Sequence, residues 1–525
     1  MKFNEKTSGV DKRENFMGTE AYILKPRERL LQLASTCLLG EKKYYGSIKN
    51  QLNKTINEVA KKDPEYILQL ASYVRNDLYL RTVSIALLVK ASLIDECKPY
   101  VKKYTPAIIK RADELTEVVS ALISEIGDLG SQGKKSIPAA LKKGIALAFN
   151  NFDEYQFGKY KQSKSKVKLK DVVKLVHPKP LTAEQSALFK RIINDEIATP
   201  ETWEVKLSAG GNKAAVWDEL IENRKLPYMA MLRNLRNMLK TGISKWEEVI
   251  SYLMNERAVI NSKQLPHRFL SAYEAIDEPR KALFEKDEDF SVELKKAVNE
   301  AIEISAKNNI PKIDGKTIII CDNSGSARGD AGGDSNLSSK TVRTMSDVGN
   351  LLGLLTWYAS DNTMFGVFGD RLDLLKLDRT KGILNNFKLV NNAGENVGQA
   401  TEQGVFTMLQ TMIKDKIITD RLIVCSDLQI GDGTDHEYGI GGNYNKSVPQ
   451  LLKEYREKVN PKMVYYSVCF GGYGDNVVDS NNNNVLISGW NDKILQFIKN
   501  YEGNKETQVK HVKKITPDSF NRKKQ

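Results

Sequence analysis

The run Cys321-Asp322-Asn323-Ser324-Gly325-Ser326 sets one carboxylate and two hydroxyls at i, i+2 and i+4, directly after the β-branched stretch KTIIICD. A hard divalent cation such as Mg²⁺ takes oxygen ligands in octahedral geometry and keeps some of its water. A tight loop carrying Asp, Ser and Ser can point three oxygens at one spot. Two more oxygens come from segments expected beside it: Thr401 in GENVGQATEQG, ahead of a helical stretch, and Asp427 in CSDLQIGDG, at the end of an apolar run. The same residue types also cap helices and turns, and that reading stands beside the metal one. No nucleophile and base adjoin the set. His436 in TDHEYG is the nearest histidine, and an exposed loop position accounts for it. Catalysis is therefore not expected.

Phosphate recognition is the second chemistry. Between Lys159 and Lys179 the chain carries eight lysines and one acid. Such a stripe neutralises phosphates and makes binding strongly salt-dependent, although a solvated loop and helix face reads the same way. Lys134, Lys135, Lys142 and Lys143, around SQGKKSIPAALKKG, add to it. Arg233 and Arg236 in MLRNLRNML fall at i, i+3 and share a helix face, with Asn234 and Asn237 beside them as hydrogen-bonding groups. Arg75 and Arg81 flank a break between two helices. Ordinary surface or helix-end charge is the alternative for each of these residues.

The elements that must hold these groups differ along the chain. Beyond residue 315, strand patterns (KTIIICD, TMFGVFGD, RLIVCSD, KMVYYSVCF) alternate with helical ones (MSDVGNLLGLLTWYAS, GVFTMLQTMIKDK, VPQLLKEYREKV, DKILQFIKNY). That alternation predicts an α/β domain over 315–502 with a largely parallel sheet. Ligands bind such sheets at the carboxyl ends of the strands, where the three oxygen-bearing segments converge. Residues 20–300 read as helix after helix. In DPEYILQLASYVRNDL, Asp63 is the expected N-cap and Pro64 the first helical residue, and Ile67, Leu70, Ala71 and Val74 form one apolar stripe. Sustained short helices suggest an α-solenoid or a comparable array, though no fixed repeat period is present. Residues 327–340 and 474–485 read as surface loops.

At 525 residues the chain has room for two to four domains, and 41% hydrophobic with 28% charged residues argues against wholesale disorder. Its net charge of +13 is uneven: residues 1–300 carry a surplus of 11, 301–500 a deficit of 2, and 501–525 a surplus of 4. Polyanion binding is thus expected mainly in the N-terminal part. Five widely spaced cysteines without a CxxC pair support neither a disulfide framework nor a zinc site, and fit a reducing compartment. No apolar run is long enough to span a bilayer and the N-terminus has no apolar signal core, so a cytoplasmic protein with no membrane partner is expected.

The Asp322, Ser324, Ser326, Thr401 and Asp427 set resembles the metal-ion-dependent adhesion site of von Willebrand factor A domains. The resemblance implies direct metal contact by Ser324, Ser326 and Thr401, and contact through water by Asp322 and Asp427, with Mg²⁺ as the ion and an open position for a partner's carboxylate. Ala327 replaces the methionine usual after this motif, and the 327–340 insert lengthens the loop. The helical part resembles the TROVE domain of the Ro autoantigen family and of telomerase- and vault-associated proteins, through KYKQSKSKVKLKDVVKLVHPKP (159–180), LPYMAMLRNLRNM (226–238) and LPHRFLSAYEA (265–275). Together the two resemblances imply a multidomain α and α/β protein: an N-terminal all-α, HEAT-like helical repeat ring and a C-terminal Rossmann-like von Willebrand A domain. Boundaries follow as a tail over 1–19, the helical RNA-binding domain over 20–310, the A-like domain over 315–502 and a basic tail over 503–525. Lys170, Lys174 and His177 fall in the segment associated with RNA contact in that family.

The function so implied is that of a non-catalytic ribonucleoprotein component. It binds small structured non-coding RNA of the Y type and single-stranded ends of misfolded or structured RNA, in RNA processing or quality control. A protein, for example a nuclease, docks at the metal site. A Mg²⁺-dependent protein-interaction scaffold and a telomerase- or vault-type subunit are the alternatives, and a hydrolase built on Asp322 is the weakest.

Overall fold

The computed structural model describes residues 12–14, 20–36, 42–43, 46–127, 136–160, 166–208, 213–276, 288–329, 344–399, 401, 404–428, 430, 446–470, 475–479, 483–489, 494–504 and 507–520. The chain divides into two compact units: Met1–Pro200 with Asp427–Gln429 and Ser467–Gln525, and Glu201–Ser426 with Ile430–Tyr466.

The first unit begins with strands β1 (Lys12–Glu14) and β2 (Glu20–Ile23), helix α1 (Pro26–Thr36) and the short strands β3 (Lys42–Lys43) and β4 (Gly46–Ser47). Helices follow: α2 (Ile48–Ala60), α3 (Pro64–Asn76), α4 (Arg81–Leu93), α5 (Lys98–Ile108), α6 (Ala112–Ile126), α7 (Ala139–Ala148), α8 (Glu154–Lys159), α9 (Leu169–Val176) and α10 (Ala183–Ile193). The second unit holds α11 (Trp203–Ser208), α12 (Lys213–Glu222), α13 (Tyr228–Thr241), α14 (Trp246–Leu253), α15 (Glu256–Ser262), α16 (Pro266–Ala275) and α17 (Glu288–Asn309). Its α/β part is β5 (Thr317–Asp322), α18 (Gly325–Arg328), α19 (Met345–Ala359), β6 (Thr363–Phe368), β7 (Leu372–Leu375), α20 (Gly382–Glu395), α21 (Gly404–Lys414), β8 (Arg421–Ser426) and α22 (Val448–Lys458). Strand β9 (Val464–Cys469) begins in the second unit and ends in the first, which is completed by β10 (Asp475–Asn476), β11 (Asn484–Ser488), α23 (Ile494–Asn504) and α24 (Gln508–Lys513).

In the first unit the apolar stripes of the helices meet in one core that includes Leu70, Leu87, Tyr104, Leu115 and Phe149. Each Leu, Val or Ile so buried contributes roughly 1.5–3 kcal/mol of transfer free energy. Helix α3 starts at Pro64, where proline's missing N–H costs nothing. Asp63 sits at the N-cap but makes no capping bond, contrary to expectation. Its carboxylate instead pairs with Arg27 and with Lys513 Nζ at 3.2 Å. Residues read from sequence as purely helical or as loop also form strands: β2 pairs antiparallel with β1 and with β10. The C-terminal stretch is stitched on as well. Val512 and Ile515 join the core, Gln69 Nε2 donates to the carbonyls of Lys513 (3.0 Å) and Ile515 (3.1 Å), Tyr104 Oη donates to Ile515 O (3.1 Å), and Lys110 Nζ donates to Phe520 O (2.8 Å).

In the second unit β5 lies between β6 and β8, parallel to both, and β7 closes the edge antiparallel to β6. β5 and β8 are buried throughout, as parallel strands covered on both faces must be, which is why they read as unbroken apolar runs. The register sets Asp322 opposite Phe368 and Cys321 opposite Cys425. β9 starts beside β8, with Val464 N–H donating to Asp420 O (3.0 Å). Helix α19 packs on β5, β6 and β8, and the long α17 packs on α14, α15, α16 and α20. Among the described residues no helix is long and apolar enough to cross a membrane.

Candidate functional site

Asp322 is the last residue of β5 and is buried, as is Ser324. The Asp322 carboxylate accepts from Ser324 N–H (Oδ1, 2.9 Å) and from Ser426 Oγ–H (Oδ2, 2.6 Å). Burial pushes the Asp322 carboxyl up from its usual range, against the lowering effect of the Ser426 and Ser324 hydrogen bonds and of Arg328. Its negative charge is therefore incompletely compensated by the protein, a condition that a bound cation relieves. The Ser324 and Ser326 hydroxyl oxygens stand 3.2 Å apart. Adjacent oxygens of an octahedral Mg²⁺ shell, each about 2.1 Å from the ion, are separated by about 3 Å. Oxygen type, spacing and local charge thus all suit a hard divalent cation. Among the described residues no three His, Cys, Asp or Glu side chains gather as a metal site, so this set depends on hydroxyl oxygens beside its carboxylate.

The 394–399 segment is fastened to this loop. Gly325 N–H donates to Gln399 O (2.8 Å), and Arg328 reaches Gly394 O (Nη1, 2.7 Å) and Gly398 O (Nη2, 3.3 Å). Gly398 has φ +91°, and a Cβ there would lie 2.0 Å from Asp370 Oδ2, so only glycine fits. Thr401 is buried and lies two positions beyond Gln399 in the chain. Asp427 directly follows Ser426 in the chain and is buried, and it is counted with the first unit. Within the second unit Asp322, Ser324 and Ser326 stand together, with Gly394, Gly398 and Gln399 bonded to their loop. Ser426, Arg328 and Asn323 also belong to this arrangement and were not singled out from sequence. Ser426 carried a signal, a hydroxyl one residue before Asp427. Ala327 is buried in the single turn α18, while residues 330–340 of the insert and His436 lie outside the described residues.

The basic candidates fall on both units. Helix α9 buries Val172, Val173 and Val176 and turns Lys174 outward, with Lys170 one turn earlier on the same side and partly exposed. His177 ends the helix in the left-handed conformation (φ +50°), its N–H bonded to Val173 O (2.9 Å), and its ring is exposed. Packed against α9 is α7, which carries half-buried Lys142 and exposed Lys143. Lys134 and Lys135 lie outside the described residues, as do Lys161 and Lys164 of the lysine run. Arg233 and Arg236 are exposed on α13 in the other unit. Beside them, Asn234 Nδ2 donates to Ala230 O (2.7 Å) and Asn237 Nδ2 to Asn234 Oδ1 (2.9 Å), so these amides are engaged within their own helix. Arg75 and Arg81 are held by acids on α6: Arg75 Nη2 with Glu114 Oε1 (2.5 Å), and Arg81 with Asp113 (3.3 Å) and Glu117 (3.2 Å). Both guanidinium groups are thus paired with acids of their own unit.

Comparison with known proteins adds three findings. The sequence profile of the TROVE domain matches residues 39–196 and 195–317, which is more than half of the chain. "Telomerase protein component 1" of Mus musculus is 30% identical over 332 residues, and that of Rattus norvegicus 28% identical over 305. These alignments cover 48% and 43% of this chain but only 13% and 12% of those much longer proteins. In three dimensions the fold is similar to the crystal structure of the Deinococcus radiodurans RO (RSR) protein, with a TM-score of 0.59 over 91% of this chain and 100% of that one, at 13% identity.

Proposed function

The chain belongs to the TROVE-domain family, and from that membership we propose that it is an RNA-binding component of a ribonucleoprotein. The observation that carries the reading is the match over 39–317 together with the face it encloses on α9, where Lys170, Lys174 and His177 stand clear of a buried valine side. Lysines one turn apart meet successive phosphates, and an exposed imidazole stacks on a base or donates to a phosphate. The RNA is a small structured non-coding RNA of the Y type, with single-stranded ends of structured RNA as a second ligand. A subunit of a telomerase-type particle is the alternative, supported by the name of the rodent relatives. The protein acts without turnover and in the cytoplasm, and the buried thiols of Cys97, Cys321 and Cys425 support a reducing compartment.

The α/β part supplies a docking point for a partner protein, such as a nuclease, at a divalent cation, Mg²⁺ by preference. Ser324 and Ser326, with Thr401, would hold the ion directly, and Asp322 would offset its charge. When bound, the ion offers a Lewis-acidic position to a partner's carboxylate. The protein's own groups keep the Asp322 carboxylate in place through Ser324 N–H and the Ser426 hydroxyl.

Changing Lys170, Lys174 and His177 together to alanine tests the RNA reading. The expected result is weaker binding of structured RNA and a slope of log affinity against log salt that is shallower by about two. Unchanged affinity and slope move the RNA face elsewhere, first to Lys142 and Lys143. Parent protein with no affinity for structured RNA in low salt overturns the proposal.

A further inference from the structure

Between the DxSxS loop and two helices runs a chain of amide side chains that the cation chemistry does not use. Asn323 Nδ2 donates to Asn350 Oδ1 (2.9 Å), and Asn350 Nδ2 returns a bond to Asn323 Oδ1 (2.8 Å). Asn350 Nδ2 also donates to Asn391 Oδ1 (2.9 Å) on α20, and Asn391 Nδ2 reaches Asp347 Oδ1 (3.4 Å) on α19. The second hydrogen of Asn323 goes to Cys321 O (3.0 Å), on β5. Asn323 and Asn350 are only 2% and 1% exposed, so both amides are fully removed from water and both amide hydrogens of each are used. Asn350 sits within the otherwise apolar VGNLLGLL of α19, where a leucine would bury more favourable surface. A reciprocal amide pair fixes one relative orientation, which apolar packing does not do.

The far end of the chain meets the loop again. Gly394 lies one turn beyond Asn391 on α20, and a Cβ there would fall 2.2 Å from Asn323 Oδ1. Its carbonyl accepts from Arg328, four residues after Ser324. Helix α20 therefore touches the loop at Asn391, through Asn350, and at Gly394, directly. The other carboxylate oxygen of Asp347 caps α19, accepting from Thr344 N–H (2.9 Å).

We propose that Asn323, Asn350 and Asn391 form a relay, buried at Asn323 and Asn350, that sets the orientation of Ser324 and Ser326 and ties it to the C-terminal end of α20 and the N-terminal cap of α19. Asn350 and Asn391 are positioning residues: they touch no ion, and they act through Asn323. The part of the inference that concerns the ion rests on the cation reading above. Loss of one link loosens the hold on the Asn323 amide, lets the 323–328 loop and the 394–399 segment open together, and weakens cation binding by about ten- to a hundred-fold, the usual effect of removing a partner behind a ligand.

The test uses full-length Asn391→Ala and Asn350→Ala, with Thr356→Val as a control. Thr356 is buried on the same helix, its hydroxyl bonded only along the helix to Leu352 O, so the control loses a buried hydrogen bond outside the relay. Amide hydrogen exchange without metal reads loop order, and Mn²⁺ titration followed by electron paramagnetic resonance reads the ion. Faster exchange at both 323–328 and 394–399 in Asn391→Ala, with a Mn²⁺ midpoint shifted ten-fold or more and neither change in Thr356→Val, is the expected result. Parent-like exchange in Asn391→Ala overturns the relay even if Asn350→Ala fails to fold. Parent protein that binds no more Mn²⁺ than Asp322→Ala overturns the cation reading and the ion clause with it, while the exchange data still decide the relay.

Discussion

Glu303 on α17 shows how a single carboxylate can be set against itself. It accepts from Ile383 N–H (2.7 Å) at the start of α20, a good place for an anion, yet burial raises its pKa despite that bond. A carboxyl with a raised folded-state pKa contributes stability that is complete below the usual carboxylate value of 4.5 and is lost as pH rises through the folded value. Glu303→Gln keeps the accepting oxygen without the charge. It is expected to be at least as stable as the parent at pH 7, with the difference closing as pH falls to 4.5 and below, as read by denaturant unfolding at both pH values. A clear loss at pH 7 would mean that the helix terminus gains more from the charge than burial costs.

At the scale of elements, α9 separates what the sequence discloses from what it hides. Its amphipathic pattern is plain, and so are the apolar strands around Asp322, because burial on one or both faces writes a period into the chain. The helix end is less plain: histidine rarely takes a left-handed conformation, and only the following Pro178 hints at a stop. His177→Gly relieves that conformation, so stability should stay within about 1 kcal/mol of the parent. RNA affinity should nonetheless drop, which separates the ring's contact from its structural place; unchanged affinity would remove His177 from the interface. The DxSxS loop was legible because its ligands are local in sequence. Asn350 and Asn391 were not, because a polar residue inside a helix has no partner until the fold brings one 27 or 41 positions away. The fate of Arg75 and Arg81 was hidden for the same reason, as their acids lie on a later helix. The two-residue strand β10 leaves no period at all to read.

For the molecule as a whole, the C-terminal stretch matters more than its basic composition suggests. Ending the chain before Thr507 removes Val512 and Ile515 from the core, at roughly 1.5–3 kcal/mol each. It also strips the buried Gln69 amide of both carbonyl acceptors, at a further 1–3 kcal/mol or so. Such a chain is expected to lose protease resistance across residues 48–200, and parent-like resistance would show that the stretch is an ornament to that core.

The same bonds impose an order in time. Gln69 and Tyr104 wait for acceptors that lie 444, 446 and 411 residues further along the chain. At about 5–20 residues per second, the helices up to residue 200 leave the ribosome some 15–60 seconds before residue 515 is made. Throughout that interval they carry an open apolar face and unmet polar groups, and this is when a chaperone, or an RNA already bound on α9, would have the most to protect.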